Sequence, residues 1–188
     1  MKENKKDLLI DIAQNLFYQQ GIRATGIDLV LANSGVAKKT LYNHFDSKEA
    51  LIIATLERRD QQFMAMMQQK VTNLTASQTA TQELKPTLAL FDAHYEWINS
   101  DNFHGCMFIN ASAEYPVAED PIHLMCLQHK QNIVGYIETL LPTAISDKPS
   151  TALQLALLLD GAIVMAHTMN DKNSARFAKQ AAMKVLGH

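Results

Sequence analysis

Lys38, Lys39, Thr40, Tyr42, Asn43 and His44 crowd one short segment with cations, hydroxyls, an amide and an imidazole. Lysine neutralises phosphate and also reaches the edge of guanine, while asparagine can make a two-bond contact to adenine. Leu41 and Phe45 stand four apart. They therefore share one face of a helix and should pack inward, which turns Lys39, Tyr42 and Asn43 outward. Lys48 adds a further cation, and Thr25 and Ser47 open helices whose first amides favour an anion such as phosphate. The chemistry these groups suit is contact with the backbone and base edges of double-stranded DNA, with Thr25, Lys38, Lys39, Thr40, Tyr42, Asn43, His44 and Lys48 as the candidates. The plain alternative is a solvated surface helix that happens to carry lysines.

The surrounding sequence supplies elements that would hold such a segment. Leu8, Leu9, Ile12, Ala13, Leu16 and Phe17 recur at helical spacing over about 4–20, and Gly21 provides a stop. A second helix over about 26–33 would take Thr25 as N-cap, with Asp28 reaching back as in a capping box. Gly35 follows, where a positive φ lets the chain turn sharply. A third helix covers about 37–44. A fourth starts at Ser47 and runs to about Asn73, before a polar stretch over 73–82 that reads as a loop. Further helices are expected over about 83–99, 105–115, 121–141, 150–169 and 172–186, and no strand signal of weight is present. The fold class is all-α: an N-terminal three-helix helix-turn-helix domain, residues 1–46, and a larger C-terminal helical domain, residues 47–188, with the helix over 47–73 joining the two.

Composition bounds the rest. Hydrophobic residues make 47% of 188, enough for a core. Residues 1–60 carry one net positive charge and residues 61–188 three net negative ones. That balance disfavours a non-specific architectural DNA protein, which needs a broad basic surface. No apolar run approaches the length of a membrane span, and the N-terminus lacks the continuous apolar stretch of a signal peptide, so a cytoplasmic protein is expected. Cys106 and Cys126 are expected as reduced thiols. No nucleophile elbow, zinc-protease motif or P-loop is present. His94, Glu96 and Glu114 are isolated acid–base groups, so an enzyme is not expected and no cofactor is implied.

The segment GIRATGIDLVLANSGVAKKTLYNHFDSKEAL, residues 21–51, resembles the DNA-binding domain of the tetracycline-repressor (TetR) family. Gly35-Val36, Thr40-Leu41-Tyr42, His44-Phe45 and Ser47-Lys48-Glu49-Ala50-Leu51 carry the resemblance. Ala37 departs from it, standing where many members have Ser or Thr. The resemblance implies a homodimer on an inverted-repeat operator. It also implies a transcriptional regulator, typically a repressor released by a small molecule bound in the C-terminal domain; an activator with the same head stays open.

Two features of the C-terminal region bear on that expectation. The helix over 150–169 is apolar nearly all round, which requires burial on more than one side. Leu153, Ala156, Leu157, Gly161 and Val164 are its candidate dimer-face residues. Periodicity alone leaves a monomer core open; the resemblance, in which the last long helices build an intersubunit bundle, favours the dimer. Phe63, Met67, Phe91, His94, Tyr95, Met107, Asn110, Glu114, Met125, His129 and Met165 are candidates to line an effector pocket. Aromatic rings and flexible thioethers suit an adaptable apolar cavity, and Asn110 and Glu114, four apart, would add a polar edge. The alternative is that this polar pair satisfies backbone groups. His94, His104, Cys106, His123, Cys126 and His129 suggest a metal-responsive variant of the same regulator. Their spacing fits no tight metal motif, so no metal ligand is assigned.

Overall fold

The computed structural model describes residues 4–77 and 83–188. These residues form helices α1 (Lys5–Gln20), α2 (Ile27–Ser34), α3 (Lys38–Tyr42), α4 (Lys48–Ser77), α5 (Lys85–Ile98), α6 (Met107–Glu114), α7 (Pro121–Leu140), α8 (Lys148–Met169) and α9 (Ser174–Val185), with no strand among them. The all-helical class read from the sequence is the observed one. Helix α4 runs past the expected end near Asn73. Val71 stays buried, and Gln69 donates to Asn73 one turn on at 2.9 Å, so a polar sequence still continues as helix. Residues 78–82 of the expected loop lie outside the described residues.

The chain packs as two compact units. The first lies within Met1–Gln62 and Met107–His129, and so contains α1 to α3, the start of α4, α6 and the start of α7. Its helix-turn-helix core is built where periodicity placed it: α1 packs on α2 and α3, and Leu9, Ala13, Phe17, Val30, Leu41 and Phe45 are buried. Phe108 of α6 stacks on His129 of α7 at 3.7 Å between ring centroids and 10° between planes. His129 Nδ1 lies 2.6 Å from Asp60 Oδ1 of α4. These units group residues by packing, so α6 and the start of α7 stand with α1 to α3, across the expected division at 46/47.

The second unit lies within Phe63–Cys106 and Lys130–His188. Here α9 packs against α5 and α8. Ala175, Ala178 and Ala182 form the buried row of α9, and such small side chains permit close helix approach. Lys130 to Asp160 (2.6 Å) and Lys179 to Asp92 (2.6 Å) are half-buried ion pairs within this unit. Helix α8 is long and apolar enough, by length and composition, to cross a membrane, with a mean hydropathy of 1.5. That corrects the expectation that no run approaches such a length. Core helices pass the same test: one face of α8, including Leu155, Leu159 and Ile163, is buried, and Asp160 carries the Lys130 ion pair.

Candidate nucleic-acid interface

The turn between α2 and α3 follows from Gly35. Its φ of 65° is left-handed, and its N–H donates to the Leu31 carbonyl, which closes α2. Val36 drops into the core, Ala37 begins α3 without a side-chain cap, and Leu41 and Phe45 anchor the inner face. Helix α3 is shorter than the expected span over 37–44. Asn43 and His44 continue it as a hydrogen-bonded turn, their amides meeting the carbonyls of Lys39 and Leu41.

The side chains opposite the anchors reach solvent together. Lys38, Lys39, Tyr42, Asn43 and His44 are exposed and Thr40 is half-buried. Lys38 lies 3.5 Å from Asp28, an exposed pair worth little in water, so its charge remains available to an anion. Lys48 is half-buried and donates to the Ile22 carbonyl at 2.9 Å. An ammonium has three donors, so two remain for a phosphate. Ser47 caps α4 by accepting from the Ala50 amide at 3.1 Å, as expected.

Thr25 requires a correction. It is fully buried, and its hydroxyl donates to the Gly21 carbonyl at 2.8 Å. It therefore neither caps α2 nor faces a nucleic acid; Gly26 is the N-cap of α2 and supplies no side-chain bond. Asp28 is exposed rather than folded back as a capping-box partner.

The loop between α1 and α2 carries a contact that local sequence did not signal. The Glu114 carboxylate, at the end of α6, accepts from the amides of Ile22 (2.9 Å) and Arg23 (2.6 Å). The Arg23 guanidinium lies 5.3 Å over the Tyr115 ring. Burial, and next the charge of Glu114, push the Tyr115 hydroxyl above its ordinary range, with Arg23 opposing. Glu114 is thus taken up by backbone amides and not by a cavity, which corrects its place among the pocket candidates.

The remaining pocket candidates divide between the two units. Met107, Asn110, Met125 and His129 belong to the first, where His129 is engaged by Asp60 and Phe108. Phe63, Met67, Phe91, His94 and Tyr95 belong to the second, and all but the half-buried Tyr95 are buried. Phe63, His94, Trp97 and Phe103 form an edge-to-face aromatic cluster; Phe63 and Trp97 are 4.9 Å apart and Trp97 and Phe103 5.1 Å. His94 Nδ1 meets the Leu90 carbonyl at 2.8 Å; a carbonyl only accepts, so that nitrogen carries the proton. Met165 is a further correction. It is 44% exposed and lines a surface groove between α8 and α9, so it stands away from the buried aromatic residues.

That groove lies along the apolar outer face of α8. Leu153, Leu157, Gly161 and Val164 are exposed there, joined by Phe177 of α9. Ala156, expected among them, is buried with Ala152 and Leu159: it lies about 100° around the helix from Leu157, at the edge of the inner face. Among the described residues no three His, Cys, Asp or Glu side chains are grouped to hold a metal ion.

An all-helical chain with a glycine-turned helix pair, whose second helix is anchored by apolar residues and faces solvent with cations and amides, is a helix-turn-helix DNA-binding protein. The family model described as bacterial regulatory proteins, tetR family, matches residues 9–55. The HTH-type transcriptional regulator YjdC of Escherichia coli (strain K12) is 31% identical over 152 residues, 80% of this chain and 77% of that protein. The crystal structure of SCO4454, a TetR-family transcriptional regulator from Streptomyces coelicolor, superposes with a TM-score of 0.84 at 30% identity, covering 97% of this chain and 94% of that one. The HTH-type transcriptional activator FasR of Mycolicibacterium smegmatis is 28% identical over 101 residues, 54% of this chain and 43% of that protein. This chain belongs to the tetR family of bacterial regulatory proteins, and it is a transcriptional regulator with a helix-turn-helix DNA-binding domain.

Proposed function

We propose that this regulator is a cytoplasmic homodimer that binds an inverted-repeat operator and is released from it by a small molecule. Lys38, Lys39, Thr40, Tyr42, Asn43 and His44 of each copy enter one major groove, and Lys48 meets the flanking phosphate. The division of labour falls near residue 46: the head reads DNA, and residues 47–188 bind the effector and the second copy. The observation that carries the reading is the two-sidedness of α3, with Leu41 and Phe45 buried and Lys38, Lys39, Tyr42, Asn43 and His44 exposed. The apolar outer face of α8 and α9, from Leu153 to Val164 with Phe177, supports a second copy as its cover. The buried aromatic cluster around Phe63 and His94 supports a largely apolar effector.

Repression is the favoured sign. Activation is the second reading, favoured by the similarity to a protein named as an activator, and the position of the operator relative to the promoter decides between them. Selection of bound duplexes from a random-sequence pool, followed by fluorescence anisotropy on the recovered sequence, tests the proposal. An inverted repeat bound in preference to scrambled DNA, with affinity falling steeply as salt rises, is the expected result. Recovery of no preferred sequence would overturn it.

A further inference from the structure

We infer that Glu114 is a positioning residue for DNA reading, its carboxylate on α6 holding the loop between α1 and α2 through the amides of Ile22 and Arg23. The inference rests on the DNA-reading role proposed above. Both hydrogen bonds join a charged acceptor to backbone donors, the stronger kind of hydrogen bond, and they tie together residues 92 and 91 positions apart.

The loop is shaped around this carboxylate. Gly21 has a φ of 89°, and a Cβ there would lie 3.2 Å from Glu114 Oε1, so the absent side chain leaves room for the oxygen. The same loop residue is gripped at its other end: the Ile22 N–H donates to Glu114, while the Ile22 C=O accepts from Lys48. Lys48 opens α4 directly after the α3 segment. One residue thus connects the end of α6 to the start of the helix that follows α3. At the far side, His123 Nδ1 donates to the Tyr115 carbonyl at 2.7 Å, which fixes the end of α6 to α7. Helix α6 also begins where the chain leaves the second unit, after Cys106. Its position is therefore passed to the DNA-reading head by two hydrogen bonds from one side chain.

The direction of the effect separates positioning from simple charge. Removing a carboxylate raises affinity for DNA by Coulomb's law, whereas loosening the loop lowers it. The test compares wild type, E114A and E114Q by three measurements: helix content by circular dichroism, exchange and chemical shift of the Ile22 and Arg23 amides in ¹⁵N-labelled protein, and anisotropy on the duplex selected by wild type. In folded E114A both amides should move upfield and exchange faster, and operator affinity should fall roughly tenfold, within the usual range of coupling between sites. E114Q keeps one acceptor oxygen and should fall between the two. Should E114A lose its helix signal, E114Q carries the same comparison. A folded variant with altered amides but unchanged or tighter operator binding overturns the inference and leaves the DNA-reading role standing. Failure of wild type to select any sequence overturns that role itself.

Discussion

Asp60 and His129 form a hydrogen-bonded pair 2.6 Å long, with the imidazole 3% exposed and stacked flat on Phe108. The pair joins α4 to α7 inside the first unit. Replacing Asp60 by Ala removes the acceptor facing a buried ring nitrogen, and that should cost about 1–3 kcal/mol. Asp60→Asn keeps an amide oxygen that can accept and should cost less. Urea unfolding of the two variants checks the order; equal costs would show that the pair is not the main contribution of Asp60.

Base reading and phosphate contact should separate by mutation. Asn43→Ala is expected to relax preference at a single operator position by about 1–3 kcal/mol, while Lys38→Ala should weaken all sequences alike and reduce the salt slope by about one. Anisotropy titrations across several salt concentrations and single-base operator variants distinguish the two patterns.

The turn and the uncapped start of α3 invite opposite changes. A Cβ at Gly35 would meet no atom within 4 Å, so Gly35→Ala costs only the left-handed conformation, on the order of 1–2 kcal/mol. Ala37 begins α3 with no side-chain cap, and Ala37→Ser should add about 1 kcal/mol. Thermal melts of the two variants should move in opposite directions.

Acid sensitivity should track Asp7. A hydrogen bond from Arg58 holds this carboxyl below its ordinary value of 3.8, with burial opposing and the Arg58 charge adding to the lowering. Near that value the native protein therefore binds fewer protons than the unfolded chain. The contribution is present above about pH 4 and is lost as pH falls through the lowered native value. Arg58→Ala should reduce stability at neutral pH, and the gap to wild type should narrow as pH drops below 3.8. A gap independent of pH between 2 and 6 would remove Asp7 from the explanation.

Leu157 is 65% exposed on the outer face of α8. Leu157→Glu should convert a dimer to a monomer in sedimentation experiments without loss of helix content. A dimer of unchanged strength would place the second copy on another face.

The sequence disclosed much of what is decided locally. Gly35 marks its own turn, and Leu41 and Phe45 mark an inner face by spacing alone, so α2, α3 and the exposed side chains between the anchors were legible. Thr25 was misread because the same hydroxyl can cap the following helix or close the end of the preceding one, and the Gly21 carbonyl took it. Glu114 was misread because its partners lie 91 and 92 residues away, and no periodicity reports that distance. Ala156 was misplaced because a helix apolar on both faces gives no moment to say which face is inward. Assignment of α6 to the unit that holds α1 to α3 depends on tertiary contacts alone.

Helix α3 spans only five residues. A helix that short presents about three or four side chains to base edges, so one copy reads only a few base pairs. A word so brief recurs by chance among the roughly 10⁶ or more competing positions of a genome. If the chain acts as the proposed dimer on an inverted repeat, target choice is then chiefly a matter of measured interval. The letters it spells out are common, and what singles out an address is the fixed distance between two utterances of them.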